Sequence, residues 1–240
     1  MKKIFTVSLL MALTVASFAQ KPSAETIRKR FSLSTTLFND FWMKMPDSTK
    51  ARTINQGIDV YAIYNFPMDR AGHVFFFAGA GIGAHNLYTK SLIGIGKYNA
   101  YNKALIADPL VSYFYNAPSS VDGQSITIKN NKLSLTYVDI PFGFQYKAAS
   151  KLHATLGFKV GWVLNDHTKY KGSDLEGSGN TVKLKSLNLP NIKNMHYGPY
   201  LTVGYKWFGL TAYYQVSSVY EKDLGPQIYP ISVGITFCPF

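Results

Sequence analysis

Only one cysteine, Cys238, occurs in 240 residues, so no internal disulfide can brace this fold. Beyond the first twenty residues, no stretch reaches the roughly 18 uninterrupted apolar residues of a membrane-crossing helix, which excludes a helical bundle in the bilayer. Acidic residues are scarce: 13 Asp and Glu stand against 25 Lys and Arg, a formal charge of +12. Charged residues of both signs make up only 16% of the chain, and mean hydropathy is −0.03. What is abundant is aromatic: 17 Tyr and 16 Phe bring the aromatic share to 15%. Such a mixture favours pleated, half-apolar surfaces over helices.

The first twenty residues have the layout of an export signal. Lys2 and Lys3 form a basic start, Ile4 to Val15 an apolar run, and Ser17-Phe18-Ala19 a small-x-small cleavage site. The expected division is a signal peptide over residues 1–19 and one barrel domain over residues 20–240. Excess positive charge in an exported chain points to lipid phosphates and lipopolysaccharide as nearby polyanions, not to nucleic acid.

Alternation with a period of two recurs over lengths suited to tilted membrane strands. In residues 152–165 the even positions Leu152, Ala154, Leu156, Phe158, Val160, Trp162 and Leu164 oppose His153, Thr155, Gly157, Lys159 and Gly161. The same period places Val138, Ile140, Phe142 and Phe144 against Tyr137, Asp139, Pro141 and Gly143. Ile58 and Val60 oppose Asp59 and Tyr61; Leu201 and Val203 oppose Tyr200 and Thr202. Counting residues 31–40, 74–84, 208–217 and 231–237 as well, eight strands are expected. Pro141, Pro199 and Pro230 fall inside them and suggest bulges.

Long links (about residues 41–55, 88–132 and 166–195, with a medium one near 218–227) alternate with short ones at residues 67–72, 148–150 and 206–207. Short turns at one end and long loops at the other are what a closed antiparallel transmembrane β-barrel of about eight strands has, with its lumen filled by side chains. The chain resembles the PorT-like outer-membrane β-barrel domain family of Bacteroidota. The resemblance rests on the leader ending Ser17-Phe18-Ala19-Gln20, on residues 137–142, on Gly157, Gly161 and Gly204 inside strands, and on the terminal segment 231–240. It implies an outer-membrane location. The ending Gly234, Phe237 and Phe240 resembles the signal by which the barrel assembly machinery recognises its clients, with Pro239 off pattern.

Candidate chemistry is sparse. Gly79-Ala80-Gly81-Ile82-Gly83-Ala84 outlines a dinucleotide fingerprint, but no helix start follows it, so small residues in a narrow lumen explain it better and no cofactor is expected. His85, Asp166, His167 and His196 lie toward the long-loop ends of their strands. A rim hydrolase or acyltransferase would need them to converge. Lys169, Lys171, Lys183, Lys185 and Lys193 sit in a basic third loop able to bind lipid phosphates or an anionic envelope partner. Tyr98, Tyr101, Tyr113, Phe114 and Tyr115 give the second loop exposed aromatic area for a partner. A structural or binding role is the leading expectation, with a rim enzyme or a soluble periplasmic ligand-binding barrel as alternatives. If Ala148, Ala149 and Ser150 form the hairpin loop, Gln145 faces His153 and Asp139 faces Lys159, so these two charges would form a lumenal ion pair.

Overall fold

The computed structural model describes residues 30–238, apart from 48, 50, 96–97, 100–103, 106–109, 117–118, 122 and 176–177. The expected leader therefore lies outside the described residues, as do Tyr101 and the terminal Pro239 and Phe240.

Nine strands make the main sheet: β1 (Phe31–Met43), β2 (Gln56–Pro67), β3 (Val74–Thr89), β4 (Ile128–Lys147), β5 (Leu152–Ser173), β6 (Thr181–Leu187), β7 (Met195–Tyr205), β8 (Phe208–Tyr214) and β9 (Tyr229–Phe237). All ladders between them are antiparallel. Strands β1 and β9, first and last, pair from Thr35–Phe237 to Met43–Tyr229. Strand β4 pairs with both β3 and β5, so every strand except β6 has a hydrogen-bonded neighbour on each side. The ninth strand corrects the expected eight. It lies in the supposed third loop and pairs only with the far half of β5, from His167–Leu187 to Ser173–Thr181. The second loop also carries short pairs, the largest joining Ser91–Ile95 to Ser112–Asn116.

Alternation decides which face each side chain takes. Leu33, Leu37, Leu156, Leu201, Val203, Leu210 and Ile235 are all exposed on the outer face, while Ser32, Ser34, Thr36, Thr155, Thr202 and Thr236 are buried inside. Aromatics cluster at the short-turn end of the outer face: Phe66, Phe144, Tyr146, Tyr205, Trp207 and Phe208. Met43, Phe41, Trp162, Met195 and Tyr214 mark its other limit. A contiguous apolar surface of this extent is not one that a water-soluble monomer ordinarily carries.

Strands β4 and β5, of 20 and 22 residues, run well past the apolar band. Between them the register shifts where Thr136 faces Asn165 but Tyr137 faces Val163, leaving Leu164 as the extra residue. This bulge flips the parity of β5, so beyond it Tyr170 and Gly172 turn inward while Lys169 and Lys171 turn outward. None of the three prolines coincides with a register shift. Each instead meets a ladder end or gap: Pro141 lies where the β3 ladder skips from Asp139 to Phe142, Pro199 just before the β8 ladder begins at Tyr200, and Pro230 just before Ile231. There the missing N–H leaves no rung unmade.

The β4–β5 turn also differs from expectation. Ala148 N–H donates to the Leu152 carbonyl at 2.8 Å and Lys151 N–H to that of Ala148 at 3.0 Å. The loop is thus Ala149-Ser150-Lys151, with Lys151 in the left-handed region at φ 68°. One residue of displacement in the turn moves every pair by two: Gln145 faces Thr155, Pro141 faces Lys159, and Asp139 faces Gly161.

Candidate functional site

Midway along the lumen, inward positions of eight strands meet in one polar cluster. Asp139 on β4 is fully buried, and its carboxylate accepts from Tyr61 Oη at 2.7 Å and from His196 Nε2 at 2.6 Å. Lys159 on β5, 2% exposed, donates to Asp59 at 3.1 Å and to Tyr61 Oη at 3.1 Å, with Asp139 Oδ2 3.7 Å away. Its ammonium also lies 4.1 Å from the centre of the Tyr213 ring. Nearby, Asp40 accepts from Ser232 Oγ at 2.6 Å and from His85 Nδ1 at 3.0 Å. The His85 and His196 rings are 6.1 Å apart. Isolated charges so deeply buried would be very costly, and mutual pairing together with the hydroxyl donors offsets that cost.

Glycines make room for it. A Cβ on Gly83 would come within 2.6 Å of Asp59 Oδ1 and 2.7 Å of Asp139 Oδ2, and one on Gly161 would collide with Asp139 and His196. The supposed nucleotide fingerprint is thus a strand interior, with no helix following Ala84.

On the long-loop side of this cluster the lumen is apolar. Trp42, Leu87, Leu133, Leu135 and Tyr137 from the strands pack with Phe114, Ile192, Val219, Tyr220 and Ile228 from the loops. The loops are fastened to one another: Ser112 N–H donates to the Leu224 carbonyl and Lys193 N–H to that of Val219, each at 2.9 Å, and Asn191 Nδ2 reaches the Leu110 carbonyl at 2.7 Å. Phe114, expected as exposed recognition area, is buried at 5%. Tyr113 and Tyr115 are half-buried beside it, and burial raises the Tyr115 phenol above its usual range. Tyr98 lies on the short strand Tyr98–Asn99.

On the short-turn side the lumen is open and polar. Ser32, Thr36, Asn65, Gln145, Thr202 and Tyr200 are among the residues lining a small cavity of about 70 Å³ that ends at Asp59 and Lys159. Side chains thus fill the lumen at mid-height and on the long-loop side, and this small cavity remains on the other.

The basic residues expected in a flexible loop lie on strands. Lys169 and Lys171 are on β5, and they face Lys185 and Lys183 of β6 directly. Lys132 of β4 faces Lys169 from the other side. Burial first, then Lys169 and Lys185, hold the Lys132 ammonium below the ordinary lysine range. Lys193 lies beyond β6, its backbone held by Val219.

Of the four rim candidates, His85 and His196 meet in the lumenal cluster, whereas His167 bonds Asn165 at 3.2 Å and Asp166 accepts the backbone N–H of Leu189. Among the described residues no group of His, Cys, Asp and Glu suits a metal ion. Parity alone identifies Asp59 and Tyr61 as inward residues. The meeting of Asp40, His85, Tyr213 and Ser232 depends on pairing between strands far apart in the chain, which no local pattern carries.

None of the curated proteins matches the chain. Among solved structures it is similar to Ail, the attachment invasion locus protein of Yersinia pestis, crystallised with the heparin analogue sucrose octasulfate. Identity there is 13%, 87% of this chain and 97% of that one are covered, and the TM-score is 0.38. Ail crystallised alone gives 12% identity, the same coverage and a TM-score of 0.36. A triple mutant of the Rhodopseudomonas blastica porin gives 11% identity over 87% of this chain and 99% of that one, with a TM-score of 0.21. The family model of the outer membrane protein β-barrel domain matches residues 18–217. With an outer face for lipid, an inner face for water and charge, and that match over most of its length, the chain belongs to the outer membrane protein β-barrel domain family.

Proposed function

We propose that this protein is a closed transmembrane barrel built from the nine-stranded sheet, with β6 lying outside the membrane. It serves as a structural or binding component of the outer membrane of a Gram-negative bacterium. The observation that carries the reading is the lumen, blocked at mid-height by the Asp59–Lys159–Asp139 cluster and above it by the apolar pack around Tyr137 and Tyr220. A blocked lumen cannot conduct solutes, so the work falls to the outer surface and the long-loop end. The cavity opens to the periplasm and the loops face outward. With His167 and Asp166 apart from the buried His85 and His196, the role is not catalytic.

Residues 1–19 act as the cleaved export signal and residues 20–240 as the barrel. The barrel assembly machinery engages the C-terminal strand, and the resemblance to PorT-like proteins of Bacteroidota supplies the narrower kinship. The strand lysines Lys169, Lys171, Lys183 and Lys185 form the outward surface for anionic envelope components or an envelope partner. Conductance across a planar lipid bilayer tests the blocked lumen. The intact protein gives no steady current, whereas stable open-channel steps would overturn this reading.

A further inference from the structure

Across the outward face of β4, β5 and β6 three ammonium groups stand in one row, Lys132 opposite Lys169 and Lys169 opposite Lys185. Like charges directly opposed in a sheet destabilise it. Among the described residues no ion pair relieves them. Tyr88 continues the row on β3, opposite Lys132, with the Lys132 ammonium 5.8 Å and the Arg52 guanidinium 6.0 Å from its ring centre. One step further out, Lys171 faces Lys183. Lysines on an open sheet edge are a common guard against aggregation, and that accounts for Lys183 and Lys185 on β6. It does not account for Lys132 and Lys169, whose strands are paired on both sides.

Height above the apolar band narrows the ligand. Lys132 and Lys169 lie four residues beyond Thr136 and Asn165, where the outward apolar series ends. At about 3.3 Å per residue and a tilt of about 40°, that is about 10 Å along the membrane normal. An ordinary phospholipid headgroup ends near or below that height, whereas a glycolipid whose sugars carry phosphate reaches it, and lysine stems bend back toward it. On strands about 4.8 Å apart, the ammonium groups can bracket one phosphomonoester or two neighbours.

We propose that Lys132, Lys169 and Lys185, with Arg52 and Tyr88 beside them, form a binding site for the phosphates of an outer-leaflet glycolipid. This rests on the outer-membrane reading above. The test is native mass spectrometry of the full chain in detergent micelles containing lipid A, either phosphorylated or enzymatically dephosphorylated. Wild-type protein retains the phosphorylated lipid. Retention falls at least tenfold with the dephosphorylated lipid, and likewise in a K132Q/K169Q/K185Q variant, while a K151Q/K206Q variant at the opposite end behaves as wild type. Equal retention of both lipids, or by the triple variant, would overturn the site. So would displacement of lipid A by a soluble heparin fragment at equal concentration, since the row would then serve a sulfated polysaccharide. Heat-modifiable mobility on gels reports separately whether each variant is a folded barrel, so failure of the membrane reading is distinguishable from failure of the site.

Discussion

Asp139 and Lys159 are two positions out of register along the β4–β5 ladder, yet their charged atoms lie 3.7 Å apart in the lumen. The ladder sets Asp139 opposite Gly161, and it is the space that glycine leaves, together with the reach of the lysine stem, that brings the charges together. Lys159 is closer to Asp59, at 3.1 Å, so one ammonium serves two carboxylates from different parts of the chain.

Removing one member of such a group leaves the others buried without their counter-charge. Asp139→Ala leaves Lys159 with Asp59 alone and takes the acceptor from Tyr61 and His196, and it should destabilise the protein by about 3 to 5 kcal/mol. Urea unfolding in lipid vesicles measures this. A cost under about 1 kcal/mol would mean that water enters the cluster freely.

Gly161→Ala places a methyl group against Asp139 and His196, neither free to withdraw. Gly94→Ala meets only the Tyr115 side chain, whose hydroxyl oxygen is 3.6 Å away. The first should lower the unfolding midpoint clearly while the second leaves it within experimental scatter. Equal midpoints would show that the cluster is looser than described.

The two faces should respond differently to charge. Leu156→Arg or Val203→Arg puts a guanidinium on the outer surface, where both native side chains are more than half exposed, at 65% and 53%. Near the midplane this costs about 2 to 4 kcal/mol. Thr155→Arg and Thr202→Arg enter the polar lumen and act by crowding. Vesicle refolding yields compare them, and full yields for both outer-face variants would indicate a water-facing surface.

At the β2–β3 turn, Asp69 is held below the usual carboxylate range, chiefly by the backbone N–H of Val74 and then that of His73. Its folded pKa lies below its unfolded one, so the turn is stabilised above the unfolded value near about 3.9 and loses that support as pH falls through the folded value. The stability difference between wild type and Asp69→Asn should shrink across that acid interval. A difference independent of pH would contradict the ionised cap.

All eight strands expected from alternation are present, because a two-sided strand between unlike media must alternate. Strand ends were less legible: nothing local in Val163-Leu164-Asn165 marks a bulge, and without it the outward turn of Lys169 and Lys171 is hidden. The β4–β5 turn was misplaced by one residue because its left-handed position is filled by Lys151, where glycine would have marked it. Lys185 looked like part of a loop because β6 has a partner on one side only and little burial to impose a pattern. Of the lumenal cluster, Asp59, Tyr61, Asp139 and Lys159 could be assigned to the inner face by parity. The hairpin alone brings Asp139 toward Lys159, but the arrival of Asp59 and Tyr61 beside them could not be foreseen, since it depends on ladders joining residues some 80 to 100 positions apart.

The central claim is that the outward face contacts lipid. It is tested most directly by tryptophan fluorescence in a background carrying Trp42→Phe, Trp162→Phe and Trp207→Phe, with Leu156→Trp as the sole reporter. In vesicles of lipids brominated at mid-chain, the account predicts strong quenching of that reporter, and weak quenching when the sole reporter is native Trp42, buried in the loop-side pack. An unquenched Leu156→Trp reporter in refolded protein would contradict the account.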